Sequence, residues 1–373
     1  MRYFLATTPY NVLISYSIAM KSEKNTLILL PYFRGDGFID VLNDSNSEDG
    51  VFDDIIMLKP YKGIKSGFLE DIRHRIDIYL HNRDVIESIP LKNSEVFIFN
   101  DTIFECQLLM SRNREHDGKN YYVEDGLAAY LKRPDPRVPE FMHPSFILKK
   151  IIGRGRYFYI KHQATHPLLD GCLVNYPELL RDDIKLEVRR LPCYSEKLAD
   201  SGFISRIASY YRFSSIMDDS WMELCIIFPG SLREISVIYG VPLQTLIDLY
   251  LRIIKILRER MNVIIKFHPR ESADVIERIM STDESIISVD PAVPSEILVT
   301  YPGDCLKAIV GDISTTLVSS RTITGASVIS TSGMLRDHIK KENLKEWNKF
   351  ISLMKTFKIE IPKEISGLVK LIE

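Results

Sequence analysis

The sequence predicts an α/β protein made of two facing doubly wound domains. Three observations carry this reading. Short apolar runs alternate with longer segments of helical period. The alternation loses its regularity from about Pro134 to Ser214 and restarts cleanly after Asp218-Asp219-Ser220. The 373 residues, at roughly 150 per domain, suffice for two such halves. The expected domains are therefore 1–218 and 219–373. Ligands of such sheets collect beyond the carboxyl ends of the strands, so a site is expected in the cleft between the halves.

In the first half the expected strands are Tyr3–Thr7, Thr26–Leu30, Asp54–Leu58, Val96–Asn100 and Tyr121–Val123, with helices such as Asn11–Met20 and Phe68–Leu80 between them. In the second half Leu224-Cys225-Ile226-Ile227-Phe228 is a strand that ends in Pro229-Gly230-Ser231. Val241–Arg260 follows as a long helix. Pro242 stands at its start, and Leu243, Leu246, Ile247, Leu249, Tyr250 and Ile253 form its apolar stripe. Val263–Phe267, Ala308–Val310 and Ser327–Thr331 complete the expected strands.

Composition removes several function classes. Hydrophobic residues at 45% and charged residues at 26% are the ordinary globular mix and argue against disorder. Lys+Arg 48 against Asp+Glu 50 leaves a formal charge of -2, so no dedicated nucleic-acid binder is expected. Five cysteines (Cys106, Cys172, Cys193, Cys225 and Cys305) lie far apart without a C-x-x-C pair, which suits a reducing compartment and gives no zinc site. The opening apolar run is broken by Thr7-Thr8-Pro9 too early for a signal peptide, and no apolar stretch approaches the roughly 18 residues of a membrane span. A cytoplasmic location is expected.

Three short motifs carry the chemistry. In Tyr121-Tyr122-Val123-Glu124-Asp125-Gly126, two carboxylates leave the end of an apolar strand before a glycine turn. One can act as general base while backbone N–H groups hold its neighbour; the bland alternative is an acidic turn. The same tripeptide at Glu48-Asp49-Gly50 follows a polar run and reads as a surface loop. In Val263-Ile264-Ile265-Lys266-Phe267-His268-Pro269-Arg270, an imidazole follows a buried strand directly, and the proline fixes the backbone beside it. Imidazole suits a phosphate leaving group, because it donates a hydrogen bond or a proton near neutral pH. His143-Pro144 and His166-Pro167 follow no apolar strand and read as loops. In Ala308-Ile309-Val310-Gly311-Asp312-Ile313-Ser314-Thr315-Thr316, hydroxyl residues open a helix after a glycine turn, which makes a phosphate cradle or a plain N-cap.

Taken in order, these motifs resemble those of the bacterial sialyltransferases: the lipooligosaccharide enzymes of glycosyltransferase family 52 and the related capsular polysialyltransferases. The shared marks are an acidic-acidic-Gly motif, then His-Pro, then Ser-Ser/Thr. They fall here on Glu124-Asp125-Gly126, His268-Pro269 and Ser314-Thr315. Thr7-Thr8-Pro9 after the first strand and Tyr130 after the acidic motif are also similar to family 52. The resemblance implies a GT-B fold, a CMP-sialic acid donor, a surface-glycan acceptor, inversion at the anomeric carbon, and no required metal or other cofactor.

In that scheme Glu124 is the base by family match and Asp125 supports it, with the reverse assignment left open. His268, beside Pro269, acts on the CMP phosphate, and Ser314 and Thr315 hold its oxygens. Glu296, in Pro294-Ser295-Glu296, stands where the family carries a ribose-binding acid, or is simply a helix-start carboxylate. Gly230 lets the backbone approach the nucleotide. The adjacent pairs Asp53-Asp54 and Asp182-Asp183 lack the Asp-x-Asp spacing of metal-dependent transferases. Two readings compete: transfer of Kdo or another CMP-activated nonulosonic acid, and a catalytically silent nucleotide-sugar-binding scaffold, against which the retained Glu124 argues.

Acceptors in the resembled family are membrane-anchored, so any membrane contact of this chain is expected to be peripheral, on the inner face of the bacterial inner membrane. The segment from Ser145 to Tyr159 mixes Lys149, Lys150, Arg154 and Arg156 with aromatics and is expected to carry it. Leu344, Trp347, Phe350, Ile351 and Met354 recur at helical spacing among lysines and read instead as a helix packed on its own domain. No oligomeric state is specified by the sequence.

Overall fold

The computed structural model describes residues 1–19, 23–32, 39–42, 50–61, 67–131, 143–192, 202–217, 221–282 and 286–372. The chain divides into two compact units, Met1–Tyr194 and Ser195–Glu373.

The first unit holds one all-parallel sheet of seven strands: β1 (Arg2–Ala6), β2 (Asn25–Leu29), β3 (Asp54–Met57), β4 (Glu95–Ile98), β5 (Lys119–Val123), β6 (Gly171–Val174) and β7 (Glu187–Arg190), in the order β3-β2-β1-β4-β5-β6-β7. The chain starts in the middle, winds out to β3, then returns to build the other side from β4. The order therefore reverses between β1 and β4, the place where doubly wound sheets bind ligands. Phe4, Leu5, Leu27, Ile28, Val96 and Ile98 are fully buried, since helices cover both faces of a parallel sheet; this is why these strands read as unbroken apolar runs. Phe4, Phe97 and Tyr121 stand opposite one another on three neighbouring strands and stack at 4.8 and 5.2 Å.

β6 and β7 lie in the stretch that looked irregular in the sequence. Gly171 opens β6 because a Cβ there would lie 3.1 Å from the Tyr121 ring and 3.0 Å from the Glu187 carbonyl oxygen. β7 is an exposed, charged edge, Glu187-Val188-Arg189-Arg190, with no apolar pattern to reveal it.

The second unit repeats the winding with five parallel strands: β8 (Leu224–Phe228), β9 (Asn262–Ile265), β10 (Ile287–Ser288), β11 (Leu306–Gly311) and β12 (Ser327–Ser330), in the order β10-β9-β8-β11-β12. Its switch point lies between β8 and β11. The helix Leu243–Arg258 buries Leu246, Ile247, Tyr250 and Ile253 of the expected stripe. An additional helix, Leu232–Tyr239, is N-capped by Ser231 and stopped by Gly240 in the left-handed region at φ 73. The helix Leu344–Thr356 buries Trp347, Phe350 and Met354. Trp347 stacks edge-on with Tyr239 at 4.8 Å and donates its indole N–H to the Ser332 carbonyl at 3.1 Å, so this stripe packs on its own unit.

The division at Tyr194/Ser195 falls ahead of the expected 218/219. The physical reason is packing: the helix Gly202–Tyr210 lies on the helix Ser295–Thr300, and the Phe213 ring meets Tyr301 at 5.7 Å. Cys106, Cys172, Cys225 and Cys305 are free thiols, and Cys193 lies outside the described residues, as do Glu48 and Asp49 of the decoy tripeptide. Among the described residues no helix is long and apolar enough to cross a membrane.

Candidate active site

In the first unit the groups beyond β1 and β5 meet. Thr8 caps the helix Pro9–Ile18 in a capping box with Asn11, and Pro9 supplies its first residue. The Asn11 side-chain oxygen accepts from the Thr7 and Thr8 N–H groups and from the Thr7 hydroxyl at 3.0–3.2 Å. That fixes the amide so that its NH2 donates to Asp125 Oδ1 at 3.2 Å. Thr7-Thr8-Pro9 is thus the local device that delivers a buried asparagine to the acidic motif.

The two acids of the motif differ sharply. Glu124 is only 2% exposed. Its Oε2 accepts the Asn175 backbone N–H at 2.6 Å and the Tyr130 hydroxyl, and its Oε1 accepts the Asn175 side-chain NH2 at 3.1 Å. Burial raises its pKa above the ordinary carboxylate range, against the pull of these donors and with the Asp125 charge adding to the rise. Asp125 is half-buried. One carboxylate is therefore held by a backbone N–H, as expected, but it is Glu124, and the more accessible one is Asp125. Tyr130 and Asn175 are the residues that make the difference.

The decoy histidines also resolve. His143 caps the helix Pro144–Ile152. His166 is buried in a loop whose Ala164, Thr165 and His166 N–H groups all donate to the buried Asp101 carboxylate at 2.9–3.0 Å, and burial pushes its imidazole down to about 4.

In the second unit His268 follows β9 and is half-buried. Its Nδ1 accepts the Arg270 N–H at 3.1 Å, which fixes the neutral tautomer with the proton on Nε2. Burial, then the charges of Arg270 and Lys266, push its pKa down to about 4. At neutral pH it is therefore an uncharged hydrogen-bond donor through Nε2. Pro269 is exposed in the same turn. Glu271 ties the turn down: its N–H donates to the His268 carbonyl at 2.9 Å, and its carboxylate accepts the Leu232 N–H at the start of the helix Leu232–Tyr239.

Lys266, two residues earlier, is buried. Burial lowers its pKa, and Glu296 and Asp290 act on it in the opposite sense. Glu296 is itself buried in the first turn of the helix Ser295–Thr300. Ser295 meets the Thr316 hydroxyl at 3.3 Å, which brings that helix start to the start of Thr315–Ile323. Ser314 caps the latter helix by accepting the Thr316 N–H at 3.1 Å, and Thr315 is exposed beside it. The capping reading of Ser314 is what the structure contains, and its O–H remains a donor. Gly230 is explained by a neighbour: its N–H donates to Asp312 Oδ2 at 2.7 Å, and a Cβ there would lie 2.7 Å from both Asp312 oxygens.

Among the described residues no group of three or more His, Cys, Asp or Glu side chains could hold a metal ion. Asp53 accepts the Asn25 N–H, and Asp183 pairs with Arg181.

The segment expected at a membrane is split. Lys149 lies over the Tyr79 and Tyr157 rings at 5.7 and 5.2 Å, and Arg156 pairs with Glu87 and Glu115, so both are committed internally. Lys150 and Arg154 stay exposed beside Ile147, Ile151, Phe158 and Tyr159, with Ile151 70% exposed.

Two Rossmann-like parallel sheets place the chain in the GT-B class of α/β glycosyltransferase folds. The crystal structure of a sialyltransferase GT-B domain from Photobacterium damselae is similar over 96% of this chain and 99% of its own, with TM-score 0.52 and 12% identity. A Photobacterium sp. 2,6-sialyltransferase, solved in a ternary complex with CMP and lactose, is similar over 96% of this chain and 78% of its own, with TM-score 0.50 and 11% identity. At such identities the likeness is one of fold. Residues 230–332 match the family described as Alpha-2,8-polysialyltransferase (POLYST), a span that holds Gly230, His268, Glu296, Ser314 and Thr315. No curated protein matches the chain. The family match over residues 230–332 agrees with the resemblance read from the motifs, and the solved structures show the same fold.

Proposed function

We propose that the protein is an inverting sialyltransferase that moves sialic acid from CMP-sialic acid to a hydroxyl of a bacterial surface glycan, a lipooligosaccharide or a capsule. The observation that carries this reading is the cluster inside the matched span 230–332: a tautomer-fixed His268, the buried Lys266 beside it, and the Ser314 helix start joined to that of Ser295 and Glu296. In the proposed reaction the acceptor oxygen bonds to the anomeric carbon as the bond from that carbon to the CMP phosphate breaks. The electron pair leaves on the phosphate, and the acceptor proton passes to a carboxylate.

Asp125 is the proposed base, reversing the assignment made from sequence. What supports it is accessibility together with the Asn11 contact, whereas the Asn175 and Tyr130 contacts of Glu124 serve to hold it in place. Glu124 is then the buried post that fixes the turn. His268 Nε2–H donates to the leaving phosphate. The arriving negative charge raises the imidazole pKa and strengthens that bond as charge develops. Ser314 and Thr315 serve the phosphate oxygens, Lys266 supplies positive charge, and Glu296 serves the ribose hydroxyls.

Metal independence is part of the proposal: activity should survive EDTA, and complete loss restored by magnesium or manganese would refute it. A peripheral membrane contact through Ile147, Lys150, Ile151, Arg154, Phe158 and Tyr159 and a cytoplasmic location complete it. The test of the donor is an acceptor-array assay that compares CMP-sialic acid with CMP-Kdo. Acceptor-dependent release of CMP from CMP-sialic acid is expected. Turnover of CMP-Kdo alone would make the protein a Kdo transferase, and CMP binding without turnover of either would make it a scaffold.

A further inference from the structure

At the switch point of the second unit, one buried carboxylate holds the strand ends together, and no role read from the motifs uses it. Asp312 follows β11 directly and is fully buried. Phe228 and Gly311 are the last register pair of β8 and β11, so Asp312 and Gly230 emerge side by side from neighbouring strands. Asp312 Oδ2 accepts the Gly230 N–H at 2.7 Å and the Tyr250 hydroxyl at 3.4 Å, and the Asp312 carbonyl accepts the Ser330 hydroxyl at 2.6 Å. Oδ1 has no well-aligned partner. Two residues further on, Ser314 caps the helix Thr315–Ile323. One residue beyond Gly230, Ser231 caps the helix Leu232–Tyr239, whose start also binds the turn carrying His268 through Glu271.

A fully buried carboxylate is costly to keep, even with the Gly230 and Ile313 N–H groups favouring its charge. Its one strong contact binds the loop after β8 to the loop after β11. Those loops lead to Ser314 on one side and, through Leu232 and Glu271, to His268 on the other.

We infer that Asp312 is the positioning residue of the nucleotide site: by gripping the Gly230 N–H it sets the spacing between the Ser314 helix start and the His268 turn. This rests on the proposal that the second unit binds CMP. Gly230 is then required because any side chain would push the Asp312 carboxylate aside, since its Cβ would lie 2.7 Å from both oxygens.

The test is calorimetric CMP binding by the full chain, with donor and acceptor KM and the thermal midpoint measured alongside. Asp312→Ala and Gly230→Ala should each weaken CMP binding about tenfold or more, equivalent to about 1.4 kcal/mol, with acceptor KM unchanged. Asp312→Asn keeps an acceptor for the Gly230 N–H and should restore affinity to within about threefold of wild type, whatever its midpoint. The double variant Asp312→Ala/Gly230→Ala should be no worse than Asp312→Ala, because the clash has been removed. Wild-type CMP affinity in Asp312→Ala, even with a lowered midpoint, would overturn the inference alone, as would fully additive losses in the double variant. Failure of the wild-type chain to bind CMP would overturn the functional proposal and this inference with it.

Discussion

Replacing each acid of the Glu124-Asp125 pair separates holding from catalysis. Glu124→Ala leaves three buried donors without an acceptor: the Asn175 N–H, the Asn175 side-chain NH2 and the Tyr130 hydroxyl. A buried unsatisfied donor costs about 1–3 kcal/mol, while removing a carboxylate that is itself disfavoured by burial returns part of the loss. The net expectation is about 2–4 kcal/mol of lost stability. Asp125→Asn, at a half-buried position where the amide keeps an oxygen to accept from Asn11, should cost about 1 kcal/mol or less. Turnover should move the other way. Removing a general base costs about 100- to 10,000-fold, or about 3–5.5 kcal/mol of barrier, so Asp125→Asn should lose at least about 100-fold in kcat with donor KM little changed. Glu124→Gln retains a carbonyl for Tyr130 and Asn175 and should keep turnover to within about tenfold. Urea unfolding and steady-state CMP release measure the two axes. A stable Glu124→Gln that is inactive, beside an Asp125→Asn that turns over normally, would refute the reasoning and return the base to Glu124.

Other expectations follow from the same structure. His268→Ala should lose about 100-fold in turnover while unfolding like wild type, and near-normal rates would remove His268 from the mechanism. Burial pushes the Asp101 and Asp312 carboxyls from 3.8 to about 6, so the native chain binds protons more tightly than the unfolded chain between those values. Their contribution is most favourable below pH 3.8 and is lost as pH rises through about 6. Each group costs about 3 kcal/mol at neutral pH, roughly half of it incurred between pH 5 and 7.5. Asp312→Asn should flatten that slope, and an unchanged pH profile of urea unfolding would contradict the assignment. Flotation with anionic liposomes should fall on changing Ile147, Lys150, Ile151 and Arg154 to Ser; equal flotation of the two proteins would discard this surface.

The strands were legible because parallel strands covered on both faces are apolar along their buried length, as Leu224–Phe228 and Val263–Ile265 are. β7 was not, because its edge position demands charge instead of pattern, and β6 was hidden by a glycine that serves the Tyr121 ring. The site motifs were legible as positions and not as roles. Which of Glu124 and Asp125 is held depends on Asn175, 51 residues away in the chain, and no local pattern announces that pairing. Gly230 looked like a backbone approach to a nucleotide, yet its neighbour is Asp312, 82 residues on. The basic, aromatic stretch after Ser145 had an interfacial composition, but composition does not reveal that Lys149 turns onto Tyr79 and Tyr157 or that Arg156 pairs with Glu87. The Thr7-Thr8-Pro9 signal was visible, and its capping-box spacing to Asn11 was the available clue to the Asp125 contact.

The central claim is transfer of sialic acid from CMP-sialic acid, and mass spectrometry of the acceptor tests it most directly. Incubation of the full chain with CMP-sialic acid and a panel of galactoside and sialylated glycans should add one or more sialyl units to an acceptor, with one CMP released for each unit added. An unchanged acceptor mass across the panel, with CMP bound and the donor intact, would contradict the account.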